Sequence, residues 1–225
     1  MPDGRPRRHD LLRVTPEGWR ATLATATGLD RLPVETRRLV EDWAVRGWPL
    51  IVRRATEGDE ADGIAVGLPL PPTLGKLRLG FTLAPDSIAE RLESVALNHA
   101  VAVAPVALHA QLDAVITLGA RLSTSPAVFG ALLWQHVTGL TYLRPGSDID
   151  LLWSKPDRSI LPDLLDSLAA LDAAGPARID GEVILPTGEG VNWRELRSEF
   201  GRPTGTVLVK SLNGAELRCA QHLFA

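Results

Sequence analysis

The chain has 225 residues, 45% of them apolar, and a formal charge of −3, enough for one large or two small domains with a substantial core. That charge argues against a general nucleic-acid binder, which carries a basic excess, but not against a nucleotide-like ligand held by a few local arginines. The lone cysteine, Cys219, excludes an internal disulfide and suits a reducing compartment. The basic start, Met1 to Arg8, is followed by no long apolar run, and the apolar stretch around 100–108 is short and holds Pro105. No signal peptide or membrane span is therefore expected, and the reading is a cytoplasmic protein. The five histidines are scattered and give no zinc-ligand spacing.

In chain order, residues 33–46 suit a helix, with Pro33 early, Leu39, Val40 and Trp43 on one face and Gly47 as a stop. Residues 48–54 read as a strand ending in Arg53-Arg54, of which at most one can face inward. The acidic, glycine-containing stretch 56–63 is a loop. Two more strands, 64–70 and 76–83, are joined by a proline-rich bend. Alternation puts Lys76 and Arg78 on one face, which is either an electropositive wall for phosphates or a solvated strand face. Pro85-Asp86-Ser87 is the expected boundary between a small α+β domain, 1–85, and a second domain, 86–225. Asp86 or Ser87 could cap a helix through about Asn98, with Ile88, Leu92 and Val95 as its buried stripe. A second helix is expected over 105–119, and His99 and His109 lie in or beside these two as packing or surface residues.

The stretch that organises the second domain begins at Pro126. A short apolar strand ends at Gly130, and a helix follows to about Gly139. A helix starting at a glycine presents free N–H groups and a positive dipole end, which suits phosphate at Gly130 and Ala131. Then Arg144-Pro145-Gly146-Ser147 turns into Asp148-Ile149-Asp150-Leu151-Leu152-Trp153, a strand entrance with both carboxylates on one face. Two close carboxylates repel unless a cation lies between them, and hard oxygen ligands suit Mg²⁺. The bland alternative is ordinary loop or capping chemistry. Residues 159–174 form a helix with a leucine stripe, and 177–185 a strand on which Asp180 and Glu182 share a face. Asn192-Trp193-Arg194-Glu195 opens a short helix, where Arg194 either binds phosphate or pairs with an acid. A late strand over 207–211 carries Lys210, a candidate ligand contact.

The strand, the glycine-opened helix and the Asp-x-Asp strand together resemble the nucleotidyltransferase (polymerase-beta-like) superfamily. Within it, Phe129 to Gln135, Thr138-Gly139-Leu140 and Ser147 to Trp153 resemble the malonate decarboxylase holo-[acyl-carrier-protein] synthases, the phosphoribosyl-dephospho-CoA transferases. Arg8-His9-Asp10-Leu11, Arg53-Arg54, Gly75 to Arg78, Asp180-Gly181-Glu182 and Trp193-Arg194-Glu195 fit as well, so the resemblance runs from about residue 8 to about 212. Ala131 departs from it, standing where Ser or Gly is usual.

The resemblance implies an α+β protein, a small N-terminal α/β unit followed by a polymerase-beta-like domain with a mixed sheet and flanking helices. It implies a third carboxylate beside the Asp-x-Asp pair, Asp180 first and Glu182 in reserve. Asp148, Asp150 and Asp180 are then the expected catalytic and metal residues, with Mg²⁺, or Mn²⁺ in its place. Gly130, Ala131, Ser147, Lys76, Arg78, Arg54 and Arg194 are the expected substrate contacts. The implied donor is 2′-(5″-triphosphoribosyl)-3′-dephospho-CoA, the acceptor is a serine of the malonate decarboxylase acyl-carrier protein, and pyrophosphate leaves. Two alternatives stay open: an ATP-dependent adenylyltransferase of the same superfamily, and a non-catalytic protein binding CoA-like ligands. Neither a nucleic-acid nor a membrane partner is expected.

Overall fold

A computed structural model describes residues 6–60 and 62–224, and the chain divides into two compact units, Met1–Ser94 and Val95–Ala225. The first contains β1 (Leu11–Val14), α1 (Pro16–Thr25), α2 (Val34–Glu41), β2 (Leu50–Val52), β3 (Ile64–Pro69), β4 (Arg78–Leu83) and β5 (Ile88–Leu92). Its strands form an antiparallel sheet in the order β4-β3-β2-β1-β5. Leu11, Leu12, Leu50, Val66, Leu68 and Leu83 are buried, each contributing about 1.5–3 kcal/mol as a fully buried side chain. Trp19 on α1 and Trp43 just past α2 complete this core. Their indole N–H groups donate to the carbonyls of Val40 (2.8 Å) and Pro49 (2.9 Å), so neither ring buries an unpaired donor. Thr15 caps α1 by accepting from the Gly18 N–H at 3.0 Å, with Pro16 following at the first helical position.

The helix predicted to run to about Asn98 does not form over residues 88–92. That segment is β5, paired with β1, and Arg13 stands directly opposite Glu90. Arg13 bonds Glu90 at 2.8 Å, and Arg91 reaches Asp10 at the same distance. Ala, Glu, Arg and Leu favour a helix locally, but β1 would otherwise be the sheet edge, and strand pairing outweighs the propensity. The first unit accordingly extends past residue 85, where the sequence places the boundary.

The second unit contains α3 (Leu97–Ala100), α4 (Val106–Arg121), β6 (Pro126–Val128), α5 (Gly130–Thr138), β7 (Ile149–Ser154), α6 (Leu161–Ala174) and β8 (Ile179–Ile184). β9 (Gly190–Asn192), α7 (Trp193–Glu199), β10 (Thr206–Lys210) and β11 (Ala215–Cys219) follow. Its sheet runs β11-β10-β9-β8-β7-β6, and β7 with β8 is the parallel pair. Parallel neighbours need a long crossover, which α6 supplies with Leu161, Leu164, Leu165 and Leu168 buried, as the leucine spacing predicts. The molecule is thus α+β, with a mixed second sheet. Register pairs Ile149 with Ile179 and Trp153 with Val183, a fully buried apolar row. The same register pairs Asp150 with Asp180 and Leu152 with Glu182 on the opposite face. Among the described residues no helix is long and apolar enough to cross a membrane.

Candidate active site

The entrance to β7 is a closed turn. The Ser147 N–H donates to the Arg144 carbonyl, and the Ser147 hydroxyl accepts from the Arg144 N–H, both at 2.9 Å, while Gly146 takes φ +79°. Ser147 therefore commits one hydroxyl lone pair to the turn that presents Asp148. The Ile149 N–H then donates to the Arg178 carbonyl at 2.8 Å and starts the parallel ladder. Adjacent strands lie about 4.8 Å apart, so the Asp150–Asp180 register partners set two carboxylates side by side.

Gly130 has φ +62°, and a Cβ added to it would overlap the Asp150 carboxylate. Glycine is required there twice over, for the left-handed backbone and for the close approach. The carboxylate therefore lies against the first residue of α5, whose N-terminal dipole end favours negative charge. The Asp150 carboxylate thus stands at the helix start that the sequence assigns to phosphate. Ala131, the next residue, is half-buried.

The entrance to β8 is fixed from three sides. Buried Gln111 on α4 donates to the carbonyls of Leu171 (3.2 Å) and Ala177 (2.8 Å) and accepts from the Ala177 N–H (3.1 Å). A side chain at Gly175 would displace that amide. Asp172 accepts from the Ile179 N–H at 2.7 Å and from Arg194 at 2.6 Å. Arg194 also donates to the Ile179 carbonyl at 2.8 Å and lies over the Trp193 ring, 4.5 Å from its centroid. The hydrogen bond from Arg194 holds the Asp172 carboxyl below the usual carboxylate range, and the same bond raises Arg194. Arg194, expected as a substrate contact, is a brace for β8.

Asp180 is held in turn. Its Oδ1 accepts from the Gly181 N–H (2.8 Å) and from Asn192 Nδ2 (3.0 Å), while Asn192 Oδ1 caps α7 at the N–H groups of Arg194 and Glu195. Its Oδ2 faces Arg178 at 3.8 Å, and Arg178 stands 3.9 Å from Asp148 as well. Glu182 is buried and paired with Lys210 at 3.4 Å, which leaves Asp180 as the carboxylate beside Asp150. Arg178, Asp172 and Asn192 were not picked out from the sequence. Arg178 had a signal, since alternation sets it on the face of Asp180 two residues on; the Asn192–Asp180 bond is a tertiary contact without one.

The other expected substrate contacts, Arg54, Lys76 and Arg78, belong to the first unit, where all three are exposed. Lys76 lies in the turn before β4 with φ +54°, so it does not share a strand face with Arg78 as the alternation predicts. Of the Arg53-Arg54 pair, Arg53 is the inward one. It grips Asp59 with two nitrogens, at 2.6 and 2.8 Å, and that contact drives the Asp59 carboxyl far below its usual range.

Among the described residues no three His, Cys, Asp or Glu side chains converge as a ready metal cage. The corner still suits a hard divalent cation in donor type and charge. Asp148 and Asp180 face Arg178, Asp172 pairs with Arg194, and Asp150 stands beside Asp180; four carboxylates against two guanidinium groups leave a formal charge of −2. The available donors are carboxylate oxygens.

Two family models cover nearly the whole chain. The one described as phosphoribosyl-dephospho-CoA transferase MdcG N-terminal domain matches residues 7–94, and its C-terminal counterpart matches residues 94–221. A Bradyrhizobium diazoefficiens protein named phosphoribosyl-dephospho-CoA transferase is 37% identical over 210 residues, 93% of this chain and 88% of its own. A Pseudomonas putida protein of the same name is 33% identical over 215 residues, 94% of this chain and 93% of its own. One from Xanthomonas campestris is 32% identical over 185 residues, 82% of this chain and 85% of its own. No solved structure matches the chain.

Proposed function

The chain belongs to the phosphoribosyl-dephospho-CoA transferase family, and we propose that it is a cytoplasmic enzyme attaching a prosthetic group. On this reading it moves phosphoribosyl-dephospho-CoA from 2′-(5″-triphosphoribosyl)-3′-dephospho-CoA to a serine of the malonate decarboxylase acyl-carrier protein. The observation that carries it is the pairing of Asp150 with Asp180 on adjacent parallel strands, with Asp148 beside them and Gly130 against Asp150. The order β6, α5, β7 with these acids supports reading the second unit as a polymerase-beta-like nucleotidyltransferase domain.

The carrier serine oxygen attacks the phosphorus nearest the ribose. An O–P bond forms there as the bond to the departing pyrophosphate breaks, and the serine proton goes to Asp180. Its Oδ1 is occupied by Gly181 and Asn192, so Oδ2 takes the proton. Asn192 and Gly181 hold the carboxylate in place through the reaction, and Gln111, Asp172 and Arg194 keep the strand beneath it from shifting. Asp148, Asp150 and Asp180 would hold Mg²⁺, or Mn²⁺ in its place, which when bound neutralises charge on the leaving pyrophosphate.

The test is the intact mass of the apo carrier after incubation with enzyme, Mg²⁺ and the donor, with ATP as donor in a parallel tube. A mass gain of one phosphoribosyl-dephospho-CoA group on a serine is expected. Asp150→Asn should cut that rate on the order of 10³-fold, several kcal/mol of transition-state stabilisation, with circular dichroism unchanged. An adenylyl-sized gain with ATP and none with the donor would overturn the assignment.

A further inference from the structure

Arg178 is placed unlike Arg194, the other arginine of this corner. Arg194 bonds Asp172 at 2.6 Å and is half-buried, whereas Arg178 sits 3.8 Å from Asp180 and 3.9 Å from Asp148 with 57% of its side chain exposed. Both separations exceed hydrogen-bond range, so charge alone attracts it to the two acids. Exposed pairs of this kind contribute about 0–1 kcal/mol each. A divalent cation binds carboxylate oxygens at about 2.0–2.1 Å with twice the charge. It outcompetes so loose a guanidinium, and the displaced cation is repelled unless an anion arrives to join it.

We propose that Arg178 is an exchangeable counter-cation of the Asp148–Asp180 pair, opposing divalent binding while the donor is absent and taking the donor's polyphosphate once the metal is in place. The inference rests on the proposed metal-dependent transfer and adds to it a coupling between the two ligands. Because binding free energies are reciprocal, polyphosphate then tightens metal binding by the same factor that metal tightens polyphosphate binding. The result is a site that does not fill with metal prematurely. The residue is well suited to the exchange. Its backbone is fixed by the Ile149 bond at 2.8 Å, while its side chain is solvated, and guanidinium geometry matches phosphate oxygens.

The experiment is Mn²⁺ titration of the full chain, with free Mn²⁺ read by electron paramagnetic resonance, with and without inorganic pyrophosphate. Binding of labelled pyrophosphate at saturating Mg²⁺ is followed by equilibrium dialysis. Wild type, Arg178→Gln, Arg178→Lys and Asp150→Asn are compared. Arg178→Gln should bind Mn²⁺ alone about 3–10-fold more tightly, the loss of one or two screened ion pairs, and bind pyrophosphate with Mg²⁺ more weakly. Arg178→Lys should fall between them. Unchanged or weaker Mn²⁺ affinity in Arg178→Gln, in a protein whose Mn²⁺ binding still depends on Asp150, overturns this inference and leaves the proposed function standing. Mn²⁺ binding indifferent to Asp150, or none at all, removes the metal reading and this inference with it.

Discussion

Arg53 and Arg178 both answer aspartates, and they are held in opposite ways. In the first unit Arg53 donates to Val66 and Arg54 carbonyls and grips Asp59 with two nitrogens, while Thr56 and Thr82 fill the rest of that carboxylate. Asp59 is 6% exposed, and every bond there is closed. At the carboxylate corner of the second unit, Arg178 faces two acids and bonds neither. A saturated cluster stabilises one conformation, whereas a corner left short of positive charge can accept a ligand.

The sharpest way to break this contrast is at Gly130. Gly130→Ala forces a left-handed alanine and a clash with Asp150. It should lower the transfer rate on the order of 10²-fold by displacing the carboxylate, and it should cost roughly 1–3 kcal/mol in urea unfolding. A variant retaining full rate would separate Asp150 from the reaction. Asp59→Asn, the matching change at the closed cluster, should cost roughly 1–3 kcal/mol of stability because bonded donors lose their charged acceptor. Its kcat in the carrier assay should not change, so an activity loss greater than the stability loss would move Asp59 out of the scaffold.

The smallest effect is acid dependence. Asp59 and Asp172 both titrate below their ordinary range, through hydrogen bonds from Arg53 and Arg194 respectively. Their stabilisation is complete above the unfolded value of about 3.9 and is lost as pH falls through the folded values. The free energy of unfolding should therefore gain nothing from these two groups between pH 7 and about 5. It should fall below about pH 4, less steeply in Asp59→Asn. Stability that increased as pH fell through that acid range would contradict the direction.

Much of this was legible in one dimension. The leucines of α6 recur at helical spacing, the acids of β7 alternate onto one face, and Gly130 opens a helix; each is a short-range pattern that the backbone period dictates. The resemblance to the family rested on the same motifs, and the comparisons bear it out. Local reading was weakest where a segment's partner is distant. No pattern singles out β1, α1 or β11, and residues 88–92 read as helix because nothing inside them announces that β1 needs a neighbour on its far side. Arg194 and Lys210 carried the charge a phosphate contact requires, yet both are engaged with acids that the fold brings from α6 and β8.

The sequence by itself determined which residues could do chemistry here. The Asp148–Asp150 spacing and the glycine that opens α5 are properties of backbone periodicity and side-chain type, and the third acid followed from the resemblance to the family. Only the tertiary structure decided which of them stand together. Asp180 rather than Glu182 stands beside Asp150 because the parallel register is set by packing of the buried apolar row. Arg194 became a brace, and Arg178 was left loose, because hydrogen-bond partners are assigned by distances across elements remote in sequence.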